Sequence, residues 1–123
     1  MKVKSYKELN IWKKGIEIAE RVYIITENFP QKELYGLSLQ MQRSAISIPS
    51  NIAEGFARGH TAEYKQFLRI ALGSCAELDT QLIIAHKRNY TTQAEVMNLQ
   101  EDLDHECRMI MNLIKSLSKN AKP

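Results

Sequence analysis

At 123 residues, with 44% hydrophobic and 25% charged side chains, the chain has the make-up of one ordinary globular domain. That excludes a disordered, collagenous or disulfide-stapled protein. No apolar run approaches the ~20 residues that span a bilayer, and MKVKSYKELN lacks the apolar core of a signal peptide, so a soluble, cytoplasmic protein is expected. The net charge of +3 is small but unevenly placed. Residues 1–14 carry Lys2, Lys4, Lys7, Lys13 and Lys14 against Glu8 alone, and residues 108–123 carry Arg108, Lys115, Lys119 and Lys122 with no acid. Acidic residues gather instead between Glu95 and Glu106.

The first helix is expected from about Leu9 to Phe29. Leu9, Trp12, Ile16, Ala19 and Tyr23 recur at helical spacing, and Ile11, Ile18, Val22, Ile25 and Phe29 widen that apolar face to about half the circumference. Pro30 cannot continue the hydrogen-bond ladder and disfavours helix at Phe29, so the helix should stop there. Gln31 to Gly36 reads as a short connection.

The second helix, LSLQMQRSAISIPSNIAEGFARG from Leu37 to Gly59, is apolar on two faces. At roughly 100° per residue, Leu37, Met41, Ala45, Ile48, Ile52 and Phe56 share one face, while Leu39, Ile46, Ala53 and Ala57 lie nearly opposite. Gln40, Arg43, Ser47, Ser50, Glu54 and Arg58 form the polar stripe between them. A surface helix of a monomer needs one apolar face. Two faces predict burial on two sides, with a homo-oligomer seam formed by Leu39, Arg43, Ile46, Ala53 and Glu54. Glu54 and Arg58 are spaced to pair on the helix surface, and at a seam Arg43 and Glu54 could pair between chains. Pro49 predicts a bend near Ala45 to Pro49, and Gly59 ends the helix.

Thr61 is the expected N-cap of the third helix, which carries Tyr64, Phe67, Leu68, Ala71, Cys75, Leu78, Leu82 and Ala85 to about His86. Asn89 can take the left-handed conformation that stops a helix. Thr92 with Glu95 forms a capping box for a fourth helix carrying Val96, Leu99, Leu103, Cys107, Ile110, Ile114 and Leu117, with residues 119–123 fraying. No stretch alternates with period two. The expected fold is an all-α, up-down-up-down antiparallel four-helix bundle in a single domain, residues 1–123. That topology collects Lys2, Lys4, Lys7, Arg58, His60, Lys65, Lys115, Lys119 and Lys122 at one end, as a basic pole.

Ser47-Ile48-Pro49-Ser50-Asn51-Ile52-Ala53-Glu54-Gly55-Phe56-Ala57-Arg58 resembles the signature of the proteins encoded in intervening sequences of bacterial 23S rRNA genes, the S23 ribosomal protein family. Leu9 through Trp12, Phe29-Pro30, Tyr35-Gly36-Leu37, and Phe67 through Ser74 with Glu77-Leu78 agree with it. The resemblance spans about residues 6–90, with the fourth helix matching only in pattern. It implies a four-helix bundle assembled as a ring-like homopentamer with no established enzymatic activity. A related accessory protein of diversity-generating retroelements is similar in fold and pentameric form and works with RNA and a reverse transcriptase. The chain departs from family pattern at Arg43-Ser44, where members often carry two basic residues, and at Asn89, where they carry glycine.

Catalytic and metal chemistries find little support. A di-iron bundle needs two Glu-x-x-His pairs, and the nearest match, Asp102-x-x-His105, stands alone with His105 on the polar side. The three histidines share no helical face and no clear partner base, so no nucleophile–base pair can be named. Cys75 and Cys107, on apolar faces and without CxxC spacing, read as reduced packing residues. Asn51 and Glu106 fall close to the apolar faces. Each is expected in a buried or interfacial hydrogen-bond network, the other reading being Glu106 as a general base. No enzyme, cofactor, membrane or small-molecule substrate is indicated. The basic pole reads either as a salt-sensitive RNA-binding surface without base readout or as a solubilising end favoured by the helix dipoles. The functional expectation is a non-enzymatic oligomer with RNA as candidate partner, the alternative being a protein-interaction scaffold that binds no nucleic acid.

Overall fold

The computed structural model describes residues 3–120. Four helices follow one another: α1 (Asn10–Thr26), α2 (Leu37–Arg58), α3 (Thr61–Lys87) and α4 (Gln93–Asn120). Each packs on its chain neighbours and α4 closes onto α1, with no diagonal pair among the described residues, which is the up-down-up-down arrangement expected. The core runs along the bundle axis. Ile18 and Val22 of α1, Met41, Ala45, Ile48 and Ile52 of α2, Leu68, Leu78 and Leu82 of α3, and Leu99 and Ile110 of α4 are all essentially out of solvent. No helix among the described residues is long and apolar enough to cross a membrane.

Helix ends show where local chemistry prevails. α1 stops at Thr26, three residues before the expected Phe29. Pro30 excludes helical backbone at Phe29, and the chain tightens beforehand, with Asn28 N–H and Phe29 N–H donating to Ile25 and Thr26 carbonyls. Thr26 Oγ1 donates back to the Val22 carbonyl at 2.8 Å. α2 runs unbroken through Pro49, which is buried against α1. Gly59 adopts the left-handed conformation at φ 76°, as expected of a residue past a helix end. Thr61, expected as the cap of α3, is instead its first helical residue. Gly59 reverses the chain so abruptly that His60, at φ −122° and ψ 130°, takes the cap position and offers no side-chain bond.

The α3–α4 link behaves as expected. Asn89 sits at φ 64°, and Thr92 Oγ1 accepts from Glu95 N–H while Glu95 Oε1 accepts from Thr92 N–H, both at 3.2 Å. α2 and α3 approach closely at Gly55, where an added Cβ would lie 2.7 Å from Phe67 Cβ. A side chain there has no room.

Candidate functional site: an apolar groove and a basic pole

The two faces of α2 meet different surroundings. Met41, Ala45, Ile48 and Ile52 are fully buried in the core. On the opposite side Leu39 and Ala53 are half-buried and Ile46 is 42% exposed. α1 adds Trp12, Ile16, Ala19 and Tyr23 on the same side of the molecule, because its broad apolar arc is only partly consumed by the core. Together Trp12, Ile16 and Tyr23 with Ile46, Pro49 and Ala53 line an apolar groove of about 400 Å³ between α1 and α2. Tyr6 closes one end and stacks at a tilt on Trp12, with ring centroids 5.6 Å apart.

The other expected seam residues are dispersed. Arg43 is exposed on the α3 side of α2, lining a polar cleft with Gln40, Ser44, Ser47, Glu77 and Gln81. Glu54 is bound within its own helix, its carboxylate 2.8 Å from Arg58 Nη2. Beside the polar cleft a ladder of hydroxyls and amides ties α2 to α3. Ser44 Oγ donates to Glu77 Oε1 at 3.1 Å, Ser47 and Ser74 hydroxyls meet at 2.8 Å, and Asn51 Nδ2 donates to Ser47. Asn51 is therefore in the network expected for it.

At the pole Lys4, Lys7, Lys115 and Lys119 are exposed, as is His60. Lys65 is half-buried and donates to Ser118 Oγ at 3.4 Å. Arg58 is already engaged: it pairs with Glu54, lies 4.0 Å from Glu63, and stacks over the Phe67 ring at 5.0 Å. Lys2 and Lys122 lie outside the described residues. The free positive charge of this end thus rests on the lysines of the N-terminal segment and of the last turns of α4.

Glu106 corrects an expectation. It is completely buried, yet neither carboxylate oxygen has a hydrogen-bond partner among the described residues. Its Oε2 lies against Gly15, 3.3 Å from where a Cβ would stand, and that side-chain-free position supplies space and no donor. The nearest cation, Lys14, is spent on Asp102 at 2.9 Å. Burial first, then the neighbouring Cys107, push the Glu106 carboxyl up to about 8, with Lys14 pulling weakly the other way. It therefore sits in the core as the neutral acid at neutral pH. No substrate-accessible cleft contains it, and the described residues hold no cluster of three His, Cys, Asp or Glu that could bind a metal.

Sequence reading missed Glu33. Its carboxylate accepts from Leu37 N–H at 3.1 Å, which caps α2, and from the Tyr90 hydroxyl at 2.9 Å, which ties in the α3–α4 link. The Leu37 bond and then Tyr90 hold this carboxyl below its ordinary value. A Glu four residues before Leu37 is a weak cap signal, and Tyr90 lies far away in the chain.

The family model described as 23S rRNA-intervening sequence protein matches residues 7–112. A solved structure from Bacteroides thetaiotaomicron VPI-5482, a protein of unknown function from the S23 ribosomal protein family determined at 1.70 Å, is similar in fold with a TM-score of 0.76. It is 25% identical, and the match covers 85% of this chain and 98% of that one. No curated protein matches the chain.

Proposed function

This chain belongs to the family of 23S rRNA-intervening sequence proteins, and from that premise we propose that it is a non-enzymatic protein that self-associates through the α1/α2 groove and contacts RNA with its basic end. The observation that carries the reading is the groove itself. Ile16, Tyr23 and Ile46 are exposed and, with the half-buried edges of Trp12 and Ala53, form apolar surface that the core leaves uncovered, the kind of surface that marks association. A cyclic assembly pairs unlike patches of neighbouring copies, so this groove is one half of such a contact. The likeness to the S23 family supports a pentamer.

The RNA half of the reading rests on charge. Lys4, Lys7, Lys65, Lys115 and Lys119 would neutralise phosphates and release counterions, and a ring would repeat each contact around its axis. Shape and backbone charge, not base edges, would be read, since the chain has no RNA-binding motif with stacking aromatics. One observation favours the scaffold reading, in which no nucleic acid binds: Arg58 is tied up by Glu54 and Glu63 and contributes little free charge.

Two measurements test the proposal. Ile46→Asp should disperse the assembly by light scattering while far-ultraviolet circular dichroism stays helical; an unchanged mass refutes the groove as the seam. Filter binding to structured RNA should weaken steeply as salt rises. Binding that is absent at low salt, or indifferent to salt, leaves the scaffold reading.

A further inference from the structure

Two free thiols lie away from the α1/α2 groove and the basic pole. Cys75 is on α3 and 1% exposed; Cys107 is on α4, packed against the core and half-buried. Both line one groove of about 320 Å³ between α3 and α4, with Leu72, Ala76 and Leu103 as its apolar wall and Asp79 and Asp104 at its edge. Cross-helix bonds fix the register independently. Lys65 meets Ser118, and Asp79 accepts from Gln100. Ten residues along α3 from Lys65 is Cys75, and eleven residues back along α4 from Ser118 is Cys107. Counted from either bond, an antiparallel pair places the two cysteines within about one helical turn of each other in height, and both open onto the same groove.

We propose that Cys75 and Cys107 form a reversible intrachain disulfide across α3 and α4 when the protein meets a peroxide. Cys107 is the attacking sulfur. It is the less buried of the two, and the neighbouring Cys75 thiol lowers its proton affinity, whereas Cys107 and then burial keep Cys75 protonated. In the first step the Cys107 thiolate displaces one oxygen of hydrogen peroxide. The O–O bond breaks, a proton is taken up, one water leaves and Cys107 becomes a sulfenic acid. In the second step the Cys75 sulfur attacks Cys107, the S–O bond breaks, and the hydroxyl leaves with the Cys75 proton as a second water. Two thiols lose two electrons and two protons in all, and the peroxide is reduced to two waters. Both sulfurs being in one chain, the reaction is intramolecular and insensitive to protein concentration.

The full-length protein treated with a small excess of hydrogen peroxide, then denatured and alkylated with a maleimide, tests this. The expected result is loss of both alkylation sites with no dimer on a non-reducing gel. A tryptic map should show Ile70–Lys87 joined to Asn89–Arg108, with dithiothreitol restoring both sites. In Cys75→Ser the second step is blocked, and dimedone should trap a sulfenic acid at Cys107. Both thiols still alkylated, a dimer through Cys107, or Cys107 over-oxidised with Cys75 free would each overturn the proposal. The wild-type map decides the matter even if Cys75→Ser folds poorly.

Discussion

Lys14 on α1 holds Asp102 on α4 at 2.9 Å, and that bond leaves Glu106, one turn further along α4, in the core with no cation of its own. The carboxyl is raised to about 8 in the folded chain against an ordinary 4.5. A raised acid binds a proton in the folded state that the unfolded state releases, so stability falls as pH rises from about 4.5 to about 8 and is level beyond. Urea melts of the wild type should lose roughly 2–3 kcal/mol between pH 6 and pH 9. Glu106→Gln should remove most of that loss and be the more stable protein at pH 9. A variant as pH-sensitive as the wild type would show that Glu106 is not the titrating group.

Gly55 and Gly73 make a matched pair. A Cβ at Gly55 would stand 2.7 Å from Phe67 Cβ, so Gly55→Ala must push α2 and α3 apart and should cost about 1–3 kcal/mol. At Gly73, inside α3, nothing lies within 4 Å, and Gly73→Ala should gain about 0.5–1 kcal/mol from helix propensity. Denaturation midpoints moving in opposite directions check both at once.

Asn89 holds φ 64°, which a Cβ tolerates poorly. Asn89→Gly should leave the melting temperature equal or slightly higher. Asn89→Val should cost about 1–2 kcal/mol, since a branched side chain cannot take this conformation without strain. Equal melting temperatures for the two variants would argue that the α3–α4 link rearranges freely.

For the basic end, Lys115→Gln with Lys119→Gln should weaken RNA binding uniformly across sequences. The slope of log affinity against log salt should flatten by about 2 if both contact phosphates. A change confined to one RNA sequence would point to base readout instead.

Much of this molecule could be read from residue order. The helical spacing of Met41, Ala45, Ile48 and Ile52 marked the buried face of α2. Thr92 with Glu95, Gly59 and Asn89 announced their ends because capping is local chemistry within a few residues. The end of α1 was overrun by three residues, since periodicity continues through Phe29 while Pro30 acts on the backbone before it. The groove was half legible: Ile46 and Ala53 showed as a second face of α2, while Trp12, Ile16 and Tyr23 showed only as part of an apolar arc on α1 covering about half its circumference. Only packing reveals which part of an over-wide apolar arc is left outside. Glu106 looked like a member of a network because a lone buried acid is costly. That its only nearby cation is committed to Asp102 depends on two other helices and has no trace in its own neighbourhood.

The far end of the bundle, where Glu33 bonds both Leu37 and the Tyr90 hydroxyl and Phe29 stacks on Tyr90 at 5.3 Å, fastens both inter-helix links to a single anion. The lysine-bearing end has one link, Gly59 and His60, with no comparable anion tying it to the neighbouring helices among the described residues. Breathing should therefore be graded along the long axis, with amide protons near Leu37 exchanging more slowly than those near Arg58. Whatever docks at the lysines would meet the more pliant half of the molecule.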